Sequence, residues 1–245
     1  MNVAAHALPA DAGEPFEVPD RVRQIRTQVD WQEALPPRAQ GAGWRAQLVV
    51  KRGLDVVMAA AAIVALLPAC AIIAFAVKLT SRGPIFYEWR VLGRHARPFI
   101  GYKFRTMVVD ADVLKVRFLA DNEMHGPAFK LRNDPRVTPL GRWLRKYSID
   151  ELPQLWSVVK GDMSLVGPRP PSAEEFVQFE PWQWRKLSVT PGITCLWQVA
   201  GRSEINDFAE WAALDLEYIR RWNLWLDLRI LLRTVPAVLS ARGAY

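Results

Sequence analysis

Cysteine is scarce in this chain: Cys70 and Cys195 are the only two among 245 residues. Cys70 sits in an apolar run and Cys195 in the segment Thr-Cys-Leu-Trp, with no CxxC and no Cys/His spacing nearby. That argues against a disulfide framework and a zinc site, and two reduced, buried thiols are expected. Histidine is equally sparse, and His6, His95 and His125 are too scattered to form a metal cluster. No apolar h-region follows the first residues, so the start does not read as a secretory signal. No internal repeat is present. Charge is missing altogether from one stretch: Val56 to Val77 runs for 22 positions without an ionisable acid or base.

Elsewhere the chain is basic, with 32 Lys and Arg against 25 Asp and Glu and a formal net charge of +7. Such a balance suits nucleic acid, anionic lipid headgroups or phosphorylated substrates. The basic residues gather beside the apolar stretch and not along an aromatic-lined groove, which argues against nucleic acid. Residues 1–45 differ in texture. Pro9, Pro15, Pro19, Pro36 and Pro37 punctuate them, and their charges alternate in sign without an apolar period. They read as a largely disordered cytoplasmic tail, with room for a short helix around Val22–Leu35.

Residues 46–80 carry the apolar stretch. A 22-residue helix rises about 33 Å, enough to cross a hydrocarbon core. Pro68 lies in its middle and predicts a kink or break. Lys51 and Arg52 precede it, and Lys78, Arg82, Arg90, Arg94 and Arg97 follow it. Positive charge marks the cytoplasmic side of a membrane, and here both flanks carry it. The pattern predicts a re-entrant helix-break-helix that returns to the face it left. A spanning helix kinked at Pro68 is the alternative, and a buried core helix fits the length and composition less well.

Gly83-Pro84 then signals a turn, and Ile85–Trp89 and Phe99–Phe104 are rich in strand formers, so a small β-hairpin is expected. Helical patterns recur over residues 106–129, 141–160, 206–222 and 224–239. Trp211, Leu214, Tyr218, Trp222 and Trp225 follow helical spacing. Such a face either packs on a core or lies in the bilayer interface. The fold class is therefore α+β, mainly helical.

The segment Arg145-Lys-Tyr-Ser-Ile-Asp150-Glu-Leu-Pro-Gln154 is the most unusual. Ser148 and Glu151 have capping-box spacing, which would give the acids a purely structural purpose. Pro153 disfavours that frame, because it would fall where its missing N–H is needed. With Asp150 as the cap, Pro153 falls within the first turn. A carboxylate at the positive end of a helix is favoured in its ionised form and can attack phosphorus. Attack on a phosphate diester needs cations. Lys103, Arg105, Arg145 and Arg169 are the candidates, the last in a Gly-Pro-Arg-Pro turn. Asp150 and Glu151, with Asp162 as a further acid, are candidate ligands for Mg²⁺.

Several of these pieces occur together in one family. Lys51-Arg52, Gly83-Pro84-Ile-Phe, Lys103-Phe-Arg-Thr-Met107, Asp134-Pro-Arg-Val-Thr138, Ser148-Ile-Asp-Glu-Leu-Pro-Gln154, Lys160 to Pro170, Pro191-Gly-Ile-Thr194, Trp197-Gln198 and Gly201-Arg202 stand in order. This run, reaching the C-terminal Gly243-Ala-Tyr245, resembles the bacterial sugar transferase family, the monotopic polyprenyl-phosphate hexose-1-phosphate transferases that prime exopolysaccharide synthesis. The resemblance implies a catalytic domain over 81–245, interfacial helices and a re-entrant membrane helix broken at Pro68 and flanked by Lys51 and Arg52. It implies an active site on the cytoplasmic face of the bacterial inner membrane. It implies that Asp150 takes the phosphosugar from a UDP-hexose, releases UMP and passes it to undecaprenyl phosphate. Glu151 would be its dyad partner and Mg²⁺ contact, and Lys103, Arg145 and Arg169 the phosphate site. Two departures stand out: Leu67-Pro68 where the family often has Ser-Pro, and Cys195 where it usually has Gly. The alternatives are a glycosyltransferase that releases UDP and a non-catalytic membrane scaffold.

Overall fold

The structure, a computed structural model, describes residues 14–33, 35–200 and 205–239. The motif Gly201-Arg202, the terminal Gly243-Ala-Tyr245 and the first thirteen residues lie outside them.

The expected disordered tail is, over its described part, ordered structure. Helix α1 (Asp20–Gln28) buries Val22 and Ile25. With Trp31 these residues join a core containing Leu92, Ala96, Phe176, Phe208 and Trp211. Trp31 also stacks on His95. Two apolar positions three apart suffice to seat a short helix on an existing core, and amid alternating charges they give little periodic signal.

Helix α2 (Ala42–Thr80) is continuous over 39 residues, with Pro68 inside it. The expected interruption is absent. One proline removes one hydrogen bond and crowds the carbonyl four residues back, which bends a long helix without having to end it. Its apolar run is outward-facing: Val64, Ile72, Phe75 and Leu79 are each about two-thirds exposed or more. Both of its flanks are nonetheless tied to one folded body. At the start, Lys51 Nζ lies 2.6 Å from Asp227 and Arg52 donates to the carbonyls of Val158 and Val159. Ala59 is buried with Val91, Phe99, Val158 and Met163. At the far end, Val77 is buried against Phe104 and Leu144.

The hairpin is present as expected. Strands β1 (Phe86–Leu92) and β2 (Pro98–Phe104) pair antiparallel, with Tyr87 opposite Lys103 and Trp89 opposite Gly101. Short helices α3 (Ala111–Lys115) and α4 (Pro139–Lys146) follow. A 3₁₀ segment (Ile149–Gln154) leads into α5 (Leu155–Lys160). Strand β3 (Ser164–Val166) then pairs in parallel with β4 (Gly192–Thr194), across the short helices α6 (Ala173–Phe176) and α7 (Pro181–Trp184). Helix α8 (Leu196–Ala200) precedes α9 (Phe208–Arg221) and α10 (Leu224–Leu239).

The two C-terminal helices use their apolar faces differently. On α9, Trp211, Tyr218 and Ile219 are buried, so that face packs on the core. On α10, Trp225, Leu228, Leu232, Val235 and Leu239 recur at three- and four-residue spacing and are all exposed.

Candidate active site

Asp150 owes its place to how α4 ends. Ser148 adopts the left-handed conformation (φ 52°) and turns the chain. The 3₁₀ segment starts there, with Glu151 N–H donating to the Ser148 carbonyl at 3.2 Å. Ser148, not Asp150, occupies the cap, and its hydroxyl caps nothing. The expected Asp150 cap is therefore displaced by two residues, because a 3₁₀ turn accommodates Pro153 without that frame.

The Asp150 side chain is buried, at 8% exposure for the residue. Burial, then the neighbouring Glu151 charge, raises its pKa from the ordinary 3.8 to about 6, against the pull of Lys103 and Arg145. Its ionisation is thus made harder, not easier as a helix-start position alone predicts. Among the described residues, no side chain donates a hydrogen bond to it.

Two cations act on it, Lys103 from β2 and Arg145 from α4, and Arg169 shares the Trp89 ring with Lys103. Lys103 on β2 lies 2.7 Å from Glu151 Oε1 and 4.1 Å above the Trp89 ring. Arg145, in the last turn of α4, faces both Asp150 and Asp134, and its Nε donates to Thr106 Oγ1 at 2.9 Å. The Thr106 carbonyl in turn accepts from Thr138 N–H at 2.9 Å. A Cβ on Gly141 would collide with that carbonyl, so only glycine lets α4 abut the end of β2 here. Arg169 follows β3, and its guanidinium lies 5.6 Å from the Trp89 ring and 5.2 Å from that of Trp211. Glu175 Oε2 sits 3.3 Å from it. Trp89 therefore links Lys103 to Arg169. Sequence reasoning missed both Trp89 and Thr106. Trp89 read only as a strand former, and Thr106 lies within Lys103-Phe-Arg-Thr-Met107, whose charged positions drew the reading.

Four expected residues go elsewhere. Arg105 donates to the carbonyls of Arg82 and Ser81, capping the end of α2. Strand β2 stops at Phe104, so Arg105 leaves the face that Lys103 shares. Lys51 and Arg52 point into the protein, as given above, and not outward to headgroups. Asp162 pairs with Lys160 at 2.6 Å. Asp134 serves as scaffold: burial pushes its pKa up, but hydrogen bonds from Arg136 outweigh this and hold it low. Cys70 and Cys195 are both free thiols. No cluster of three or more His, Cys, Asp or Glu suited to a metal occurs among the described residues.

Two clefts flank the Asp150 turn, and Leu66, Leu152 and Leu155 line both. One, of ≈ 540 Å³, lies between α2 and the hairpin and is floored by Ala71, Phe86 and Phe104. The other, of ≈ 320 Å³, opens between the 3₁₀ segment, α8 and α10 and has Glu151 in its wall.

The bacterial sugar transferase family matches residues 46–241. Galactosyl transferase CpsE of Streptococcus agalactiae serotype III (strain NEM316) is 46% identical over 80% of this chain and 44% of its own length. Exopolysaccharide production protein ExoY of Sinorhizobium fredii (strain NBRC 101917 / NGR234) is 39% identical over 80% of this chain and 88% of its own. Undecaprenyl-phosphate glucose phosphotransferase of Komagataeibacter xylinus is 33% identical over 100% of this chain and 43% of its own. The chain thus spans less than half of some relatives and most of another. It belongs to the bacterial sugar transferase family.

Proposed function

We propose that this chain moves hexose-1-phosphate, as galactose or glucose, from a UDP-sugar to undecaprenyl phosphate and releases UMP. This is the first step of exopolysaccharide or related glycan assembly. The observation that carries the reading is the Asp150 carboxylate: buried, without a side-chain donor among the described residues, and under the pull of both Lys103 and Arg145. An acid so placed keeps its lone pairs available while nearby cations offset the charge of an incoming diphosphate.

In the first half-reaction an Asp150 oxygen attacks the sugar-bearing phosphorus. The bond from that phosphorus to the UMP oxygen breaks, and its electron pair leaves with UMP. In the second, an oxygen of undecaprenyl phosphate attacks the same phosphorus and the acyl-phosphate bond breaks. That yields the lipid diphosphate sugar and restores the carboxylate. Lys103, Arg145 and Arg169 orient the phosphates. Asp150 and Glu151 present two adjacent oxygen donors, and Mg²⁺ ordinarily takes one or two carboxylates with substrate phosphates and water, so the donor set fits. When bound, the ion neutralises diphosphate charge.

The exposed apolar run of α2 and the exposed stripe of α10 support a seat in a bilayer. Basic flanks and attachment of both ends of the run to one body support a re-entrant, monotopic arrangement with the site on the cytoplasmic side of the inner membrane. Labelling Leu48→Cys and Arg82→Cys in a cysteine-free background tests this: access from one side supports it, and access from opposite sides overturns it.

The chemical test is to incubate the enzyme with UDP-galactose or UDP-glucose plus undecaprenyl phosphate. UMP as product, and a phosphosugar mass on the peptide holding Asp150, are expected. UDP as product would make it a glycosyltransferase, and no nucleotide product would make it a scaffold.

A further inference from the structure

The proposed acceptor has two parts with opposite needs. Its phosphate must reach the Asp150–Glu151 pair, and its isoprenyl chain must stay in apolar surroundings continuous with the bilayer. Only one of the two clefts meets both conditions. The larger is apolar on every side, and Glu151 is absent from its walls. The smaller, ≈ 320 Å³, has Glu151 in its wall, with Ser148, Gln198 and Thr234 as further polar walls. Its remaining lining includes Leu66 of the apolar helix, Val199 of α8 and Ala237 and Val238 of α10. Leu66 and α10 bring it to the surfaces whose apolar side chains are exposed. Lys103, 2.7 Å from Glu151, supplies the positive charge that the phosphate end requires.

We infer that the cleft between the 3₁₀ segment, α8 and α10 holds the first isoprene units of the lipid phosphate acceptor, leaving the rest of the chain in the bilayer. The inference rests on the function proposed above and adds the location of the acceptor. A cleft of this size takes only the head-proximal part of a long polyprenyl chain, so the site selects for branched apolar structure next to the phosphate and tolerates variable length beyond it. The opposite cleft is left free of acceptor.

The test uses the full-length enzyme in lipid nanodiscs. Ala237→Trp narrows the assigned cleft, and Ala71→Trp narrows the other. Ala237→Trp is expected to raise the KM for undecaprenyl phosphate at least about tenfold and to move the KM for the UDP-hexose far less, while Ala71→Trp changes neither by more than about twofold. An unchanged acceptor KM in Ala237→Trp, or a large rise confined to Ala71→Trp, overturns the assignment. Should Ala237→Trp fail to fold, the wild-type protein gives the answer with a photoactivatable polyprenyl phosphate carrying its reactive group in the first isoprene units. Crosslinks on peptides containing 193–199 or 234–238 support the cleft, and crosslinks confined to 67–74 or 86–104 overturn it. A wild-type enzyme that makes no UMP defeats the proposed function instead, and crosslinking still reports on the cleft.

Discussion

Lys103 and Lys51 each sit within hydrogen-bonding reach of a buried-site carboxylate, 2.7 Å from Glu151 and 2.6 Å from Asp227. Beyond that the two regions diverge. At Asp227 the donors crowd in: Tyr218 O–H at 2.8 Å and Trp222 Nε1–H at 3.1 Å complete the shell begun by Lys51. Asp150, beside Glu151, is buried to a similar depth, 8% against 6% exposed, yet receives no side-chain hydrogen bond among the described residues. A buried acid saturated by donors fixes the fold. One held near cations without a side-chain donor keeps more of its lone pairs open, and the fold bears the desolvation.

The sharpest way to break this comparison is to neutralise each acid. Asp150→Asn should cut UMP release by at least about 10³-fold, as expected for loss of a nucleophile. The same change should raise thermal stability at pH 8. A carboxyl whose folded pKa is about 6 against an ordinary 3.8 binds its proton more tightly when folded, so its charge opposes folding above pH 6. Removing that charge stabilises by up to about 3 kcal/mol. Asp227→Asn should do the reverse. It leaves Lys51 without its counter-charge and should cost about 3 kcal/mol, while folded molecules keep their turnover. Thermal unfolding with an activity titration per folded molecule reads both. Equal signs for the two variants would erase the distinction.

The pH profile offers a finer cut. In the proposed mechanism only the ionised Asp150 attacks, so turnover should fall about tenfold for each pH unit below 6 and be level above it up to the next titration. A profile flat down to pH 5 would remove Asp150 from the rate. The smallest effect belongs to Arg105→Ala, which should lower stability by about 1 kcal/mol through loss of its bonds to the Ser81 and Arg82 carbonyls. A rise above about threefold in the KM for the UDP-hexose would return Arg105 to the phosphate site.

The legible features were those whose signal is local. The hairpin announces itself through aromatic and β-branched residues bounded by Gly83-Pro84 and Gly93, and α2 through uninterrupted apolarity. The apolar helix over 224–239 was legible as well, but not which of its side chains stay exposed. Illegible features depend on distant partners. The parallel β3–β4 pair has three residues in each strand, too few for alternation to register. Helix α1 is held by two side chains whose core lies 70 to 190 residues onward. In the site, Asp150, Glu151, Lys103, Arg145 and Arg169 were visible as charges in motifs. The departure of Arg105 was not, because it turns on a strand ending one residue earlier. Trp89 was hidden because a ring face serving two cations looks, in sequence, like any strand aromatic.

The anchors of α2 also impose an order on biosynthesis. Lys51 meets Asp227 and Val166, and Arg52 meets Val158 and Val159, across separations of 106 to 176 residues. At translation rates of about 5–20 residues per second, roughly ten to thirty seconds separate Lys51 from Asp227 on the ribosome. Throughout that interval the apolar helix exists without the body that holds its ends, and the two cations at its entrance are unpaired. The helix is thus made before the body that holds its ends, and docking of the later-made domain is the step that completes the molecule.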